Sequence, residues 1–372
     1  MKKALLATSA IIAAGAIAAN AHAVDVDMYG QVNKGVMMFD DGKTTEFNIV
    51  DNDVSSTRFG LRGSQALDHG LTASVLFEGE MQSNASDAVT QGTYTNTAST
   101  FTERHARVGL AGSWGAVFVG HTSSATDGIT EIDLAPAQDV LGSGADRIGG
   151  ALKFRNSAGT LSSIAVNNVV DNFDGIAHND GTAVNANAGD RLNVIRFDSA
   201  IYNGVQGRIA AATGGDIDAA VVYNGKMDAF EVAGGVGYVA YNNTTSATTN
   251  QLDHQISGSV SVKHDSGVSA TAAYGQRSLD NKAAGVSDPD FYYVKLGYAW
   301  DQFGIAADYS KNENIDVSNA TDDKTTVYGL GGQYDLGHGV SLAAYYRNID
   351  LNRTGTATDA IDMYGLNMRV KF

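Results

Sequence analysis

The chain has 372 residues, a formal net charge of −16, 43 glycines, two prolines and no cysteine. The missing cysteines exclude disulfide frameworks, thiolate-ligated metals and a lipoprotein anchor, and the acidic balance argues against nucleic acid as a partner. An abundance of Gly, Tyr, Ala, Val and Asn suits many short strands joined by tight turns.

Met1-Lys2-Lys3, an apolar run from Ala4 to Ala19 and then Ala21-His22-Ala23 have the form of a secretory signal peptide over residues 1–23, cut after Ala23. The run is short for a spanning helix, and no other apolar stretch approaches spanning length. Removing this leader takes away two lysines and no acid, so the mature net charge becomes −18. Val26–Phe39 reads as the first strand, with Lys34 on the same face as Val32, Val36 and Met38. Ser56–Ser64 alternates, and a turn at Leu67-Asp68-His69-Gly70 leads into Leu71–Gln82, where Leu71, Ala73, Val75, Phe77, Gly79 and Met81 share one face. A polar loop from Ser83 to Thr100 precedes Phe101–Ala111, the turn Gly112-Ser113-Trp114-Gly115 and Ala116–His121. Short turns alternate with long polar loops, the rhythm of a membrane β-barrel.

The region from about 122 to 190 breaks this rhythm. Within it, Ala151–Arg155 and Leu161–Asn167 form a candidate hairpin around Ser157-Ala158-Gly159. Strand pairs then resume: 191–199 with 204–213, 216–225 with 228–241, 252–264 with 267–277, 290–300 with 303–312, and 324–335 with 339–349. Asn224-Gly225 is read as one of the connecting turns. In the last strand, 360–372, Tyr364, Leu366, Met368, Val370 and Phe372 fall on one face, with Asn367, Arg369 and Lys371 opposite. An apolar face toward lipid requires a closed barrel, because an open sheet edge in hydrocarbon leaves backbone groups unpaired. The fold expected is an all-β transmembrane antiparallel barrel. It has sixteen strands if the 151–167 hairpin belongs to the long loop and eighteen if it joins the wall.

Several blocks resemble Gram-negative general porins. They are Tyr29-Gly30-Gln31-Val32-Asn33-Lys34, Asp51-Asn52-Asp53-Val54-Ser55-Ser56-Thr57-Arg58-Phe59-Gly60-Leu61-Arg62-Gly63, Arg107-Val108-Gly109-Leu110, Val117-Phe118-Val119-Gly120-His121 and Arg191-Leu192-Asn193-Val194-Ile195-Arg196-Phe197-Asp198-Ser199. Their order, together with the terminal Phe372, extends the resemblance over the mature chain, 24–372. It departs from the family at His121, where an Arg or Gln is usual, and at Ala200, where a Pro is usual. The Arg191 block is similar to the family's sixth strand, which favours sixteen strands.

The resemblance implies a bacterial outer-membrane homotrimer in contact with membrane lipid and lipopolysaccharide. It also implies that the carboxy-terminal strand (Tyr364, Leu366, Met368, Val370, Phe372) is read by the barrel-assembly machinery and pairs with the first strand. The third loop, about 122–190, would fold into the lumen and narrow it. Its acids Asp127, Glu131, Asp133, Asp139 and Asp146 would oppose wall cations, of which Arg58, Arg62, His105, Arg107 and Arg196 are the candidates. Opposed charges across a narrow aperture create a transverse field that orders water and disfavours apolar solutes. The function expected is passive diffusion of small hydrophilic solutes and ions, with no catalysis, cofactor or metal. The alternatives are a substrate-specific channel, with Tyr293 and Tyr345 as its aromatic track, and a plugged structural or adhesive barrel. The charge of the whole chain suggests a weak preference for cations. Tyr298, Trp300, Phe303, Tyr334, Tyr346 and Phe372 are read as a periplasmic aromatic girdle. Asp51-Asn52-Asp53 is read as polar loop rather than as ligands for a divalent cation.

Overall fold

Strand alternation gives every sheet element one apolar and one polar face, and closing the sheet removes its unpaired edges. The computed structural model describes residues 24–92, 99–177, 191–242, 249–317 and 322–372. The expected leader with its cleavage site at Ala23, and residues 178–190 at the end of the long loop, lie outside the described residues. Described strands form a closed antiparallel barrel of sixteen wall strands.

β1 is Asp25–Asp40. β2 comes in two halves, Thr45–Asp51 and Arg58–Ala66, which pair with the upper and lower parts of β1 in turn. β3 is Thr72–Gln82, β4 Thr100–Gly112 and β5 Gly115–Ser123. Beyond the long loop come β6 Arg191–Ser199, β7 Val205–Ala212, β8 Ile217–Met227 and β9 Phe230–Ala240. Then follow β10 Gln251–His264, β11 Val268–Asp280, β12 Asp290–Trp300 and β13 Phe303–Glu313. β14 Asp323–Gly337, β15 Val340–Arg353 and β16 Ile361–Lys371 complete the wall. β16 closes on β1 from Gln31↔Lys371 to Asp40↔Asp362, and Gly30 and Phe372 exchange two backbone hydrogen bonds of 3.0 Å. The hairpin of the long loop, Lys153–Arg155 with Leu161–Ala165, is a separate small sheet, so the wall count is sixteen and not eighteen.

One turn sits away from its expected place. Asn224 and Gly225 lie inside β8, opposite Ala233 and Val232, and the chain reverses at Asp228, whose φ is 50°. The ladder continues to Met227↔Phe230, so pairing outweighs the local turn preference of Asn-Gly. Between β6 and β7, by contrast, Asn203 and Gly204 both take positive φ, 49° and 85°. That is the backbone a two-residue turn needs to match the twist of its strands.

The outer face is apolar. Leu296 is 67 % exposed, Leu366 63 % and Ile49 65 %. Burying such a side chain is worth about 1.5–3 kcal/mol, so a belt of them is stable in hydrocarbon and costly in water. Aromatic rings mark both margins of the belt. Near the short turns Tyr298, Trp300, Phe303 and Tyr334 stack in sequence, with centroids 5.4, 5.6 and 4.7 Å apart. Toward the long loops three cross-strand pairs, Tyr274–Tyr292, Tyr309–Tyr328 and Tyr346–Tyr364, form a second row at 5.1, 5.4 and 5.1 Å. Tyr346 therefore belongs to this upper row and not to the periplasmic girdle, because it stands six residues along β15 from the turn.

Candidate channel constriction

The lumen face is divided into a dry half and a wet half. From β10 to β15 the inward side chains are almost wholly enclosed: Gln255, Ser261, Arg277, Phe291, Lys295, Arg347 and Ile349 are all buried. From β2 to β8 the inward residues Arg58, Arg62, Ser74, Leu76, Arg107, Phe118, Arg208 and Asn224 retain solvent exposure. The long loop after β5, called L3 below, makes the difference, because its described part lies against β8–β16.

L3 is fastened along its described course, up to residue 177. The backbone N–H and hydroxyl of Thr126 donate to Asp218 at 2.7 and 2.6 Å. Ser259 Oγ donates to the Ile129 carbonyl at 2.7 Å, and Leu134 N donates to Ser261 Oγ at 2.9 Å. Asp133 accepts from Thr271 Oγ1 at 2.5 Å and from Lys295 Nζ at 2.7 Å, and Lys295 also donates to the Leu141 carbonyl. Asp139 pairs with Arg369 and accepts from Ser341. On the return pass, Asp171 accepts from Arg277 at 2.6 Å, while Arg277 stacks on Phe173 and donates to Gln255. These buried charges are stable because each has a partner of opposite sign and further hydrogen bonds. Apolar packing adds to them, with Val140, Leu141, Ile148, Leu152, Phe154 and Val166 of L3 meeting Met37, Phe39, Ile349 and Met363 of the wall.

At the outer mouth the L3 hairpin joins three other loops. Arg155 pairs with Asp41 at 2.8 Å, Lys43 donates to the Gly159 carbonyl at 3.1 Å, Gln91 donates to the Lys153 carbonyl at 2.7 Å, and Asn156 bridges to Thr358. The Asp41 carboxyl is opposed by burial, yet Arg155, Thr44 and Lys43 together hold it below the usual carboxylate range. Below the hairpin, Gly149 N and Ala151 N donate to the carbonyls of Ser86 and Asp87 at 2.8 and 2.7 Å. Burial, Asp53 and Asp146 push the Asp87 carboxyl up to about 7, against the pull of Arg147.

The expected acids of L3 thus separate. Asp133 and Asp139 do not face the arginines of the open wall, because Lys295 and Arg369 hold them on the packed side. Asp146 is buried at the junction with Asp53, Asp87 and Arg147. Glu131 is 43 % exposed, accepts from Asn172 at 3.0 Å and lies 3.9 Å from Arg147. Asp127 is partly exposed in the same stretch.

The expected cations Arg58, Arg62, His105 and Arg107 project inward from the open wall, and Arg196 is buried on β6. Arg58 Nε lies 3.7 Å from Glu78. Arg62, nearer the short turns, is 3.8 Å from Asp27 and lies over Tyr29. Arg107 lies 4.0 Å from the centre of the Phe118 ring. His105 Nδ1 shares a 2.9 Å hydrogen bond with Thr122. Arg196 grips Asp198 through Nε and Nη2 at 2.6 and 2.8 Å and donates through Nη1 to the carbonyls of Ser123 and Ser124, which fixes the start of L3.

Sequence reasoning missed Arg104. It donates to Glu78 at 2.7 Å and Glu80 at 2.5 Å, and Tyr29 also donates to Glu78. A bulge between Glu103 and His105 turns both Arg104 and His105 inward, and no simple alternation places two neighbours on one face. Tyr293 and Tyr345, the candidate aromatic track, are buried behind L3 and line no channel. Asp51-Asn52-Asp53 is occupied structurally. Asp51 pairs with Lys34 at 2.6 Å, Asn52 donates to the Asp139 carbonyl at 2.7 Å and Asp53 accepts from Gln82 at 2.7 Å.

Comparison with known proteins agrees with this architecture. A sequence family described as Gram-negative porin matches residues 7–354. The chain belongs to the Gram-negative porin family. Among curated proteins none matches. Among solved structures, the porin is similar to an anion-selective porin from Comamonas acidovorans, with a TM-score of 0.59 and 16% identity, covering 94% of this chain and 100% of that one. It is also similar to OmpF of Salmonella typhi, with a TM-score of 0.60 and 14% identity over 93% and 97% of the two chains. The trimer form of OmpT from Vibrio cholerae gives a TM-score of 0.58 and 14% identity over 94% and 100%. The porin is an outer-membrane barrel through which small solutes pass by diffusion. A sixteen-stranded wall is too wide for its own side chains to fill, and the described part of L3 takes up one side of it.

Proposed function

We propose that this porin acts as a homotrimeric channel that favours small hydrophilic anions over cations and performs no chemistry on them. The observation that carries the reading is the charge of the open wall. The lumen faces of β1 to β7 carry six arginines (58, 62, 104, 107, 196, 208) against four carboxylates (Asp27, Glu78, Glu80, Asp198). Arg104 engages Glu78 and Glu80, Arg196 engages Asp198, and Asp27 lies 3.8 Å from Arg62. This local surplus reverses the cation preference suggested by the whole-chain charge of −16, to which residues outside the aperture contribute. In this reading Arg58, Arg62, Arg107, Arg196 and His105 form the constriction wall. Asp127 and Glu131 supply the opposing field, while Asp133, Asp139 and Asp146 hold L3.

Trimerisation is supported by polar groups on part of the outer face. Lys34 on β1, whose partner Asp51 is buried, Glu103 on β4 and His121 on β5 project outward, where hydrocarbon would penalise them. Contact with protein there and with lipid and lipopolysaccharide elsewhere accounts for that division. The carboxy-terminal strand through Phe372 is assigned to recognition by the assembly machinery.

The test is single-channel conductance of the refolded mature chain in a planar bilayer under a salt gradient. The expected record shows steps closing in threes, a conductance that rises with bulk salt, and a reversal potential of anion sign. A protein that inserts without conducting would return the plugged-barrel reading.

A further inference from the structure

A glycine inside a strand weakens the sheet, so glycines on a wall call for a reason. Those on the lumen side of the packed wall include 235 and 237 on β9, 297 on β12, 304 on β13 and 331 on β14. Each receives a side chain of L3. A Cβ built on Gly235 would stand 2.5 Å from Ile129 Cδ1, one on Gly237 2.5 Å from Thr126 Cγ2, and one on Gly297 2.5 Å from Pro136 Cδ. A Cβ on Gly304 would fall on Pro136 from the other side, and one on Gly331 would stand 2.9 Å from Leu141 Cδ1. Real Cβ atoms essentially never approach below 3.0 Å. The knobs follow one another along L3, from Thr126 through Ile129 and Pro136 to Leu141, in the order in which the glycine-bearing strands follow one another round the wall. On the outer face of β14, Gly332 has its nearest neighbour at 3.9 Å and so has room for a methyl group.

We infer that these five glycines set the width of the aperture although they contribute no side chain to it. They are positioning residues. Each hollow lets L3 lie one side-chain layer closer to the packed wall, and the buried ion pairs Asp133–Lys295 and Asp139–Arg369 then lock it at that depth. The opening left to solutes is the remainder, between L3 and the arginines of β2–β7. Filling a hollow pushes L3 toward those arginines, most directly at Gly297 and Gly304, where the atom met belongs to the rigid Pro136 ring and not to the end of a flexible side chain.

The experiment measures single-channel conductance and reversal potential of Gly235→Ala and Gly304→Ala, with Gly332→Ala as the control. Heat-modifiable migration on gels verifies that each barrel has closed. Both lumen-side variants should conduct less than the parent, roughly 1.5-fold less for a displacement of about 1 Å, while Gly332→Ala conducts as the parent does. Adding Ile129→Ala to Gly235→Ala removes the knob and should restore conductance, a coupling that a general loss of barrel stability would not produce. Ile129→Phe enlarges the knob without touching the wall and should lower conductance even if a glycine variant fails to fold. Folded variants that conduct as the parent or better, or a double variant without rescue, would overturn the assignment. A parent chain that does not conduct would count against the channel reading itself, which is a separate result.

Discussion

Arg107 and Asp87 show how much a single side chain depends on its neighbours. Arg107 lies against Phe118, with no carboxylate within ion-pair distance among the described residues, so its charge acts on the channel with little local cancellation. Replacing it together with Arg58 by glutamate should move the reversal potential to the cation side, and an unchanged sign would place the selective charges elsewhere. Asp87 works differently. Its carboxyl is raised from 3.8 in the unfolded chain to about 7 in the folded one. A raised acid adds stability that is complete below pH about 4 and is lost as pH climbs through about 7. The junction between L3 and the loop after β3 should therefore resist proteolysis better at pH 5 than at pH 8, and Asp87→Asn should remove most of that difference. Asp53, Asp146 and Arg147 face the same group, so their variants should shift the midpoint.

At the scale of elements, L3 is better described as an inward layer of the barrel than as a loop. Its ion pairs are buried, and removing one partner strands the other. Lys295→Ala, which leaves Asp133 without its cation in a dry interface, should cost about 3–5 kcal/mol, visible as a lower unfolding temperature in detergent. Lys295→Met combined with Asp133→Leu should recover a large part of that loss. The hairpin 153–165 is a different case, since its attachments to Asp41, Lys43, Gln91 and Thr358 lie at the outer mouth. Deleting it should leave the wall intact and raise conductance without changing ion preference. A changed reversal potential would show that the hairpin reaches the aperture.

For the whole molecule, the barrel supplies a fixed frame in which lipid, water and protein each meet a different surface. The outer belt lies between two rows of aromatic rings, and β1, β4 and β5 carry the polar residues Lys34, Glu103 and His121 on that face. If those strands face neighbouring subunits, Glu103→Arg should lower the temperature at which trimers separate on gels while leaving the monomeric barrel folded. Closure depends on the last residues of the chain. Phe372 exchanges its backbone bonds with Gly30, and its ring packs against the same glycine.

The sequence by itself determined the wall. Period-two alternation over short segments, polar loops between them and an apolar last strand are local properties, and a closed barrel is the arrangement that satisfies them in hydrocarbon. That is why the strands from 191 onward fall close to where alternation puts them, and why Asn224-Gly225, a strong local signal, could still yield to pairing with β9. The placement of L3 was decided only by tertiary structure. Charge and length single out its acids but give no depth, so Asp133 and Asp139 look like aperture residues until Lys295 and Arg369 are seen to bind them from the packed side. Arg104 escaped notice because a one-residue bulge breaks the alternation on which the reading relies. The wall glycines escaped because a hollow has meaning only when the side chain that fills it is known. Such contacts join residues a hundred or more positions apart, and no local pattern in the chain records them.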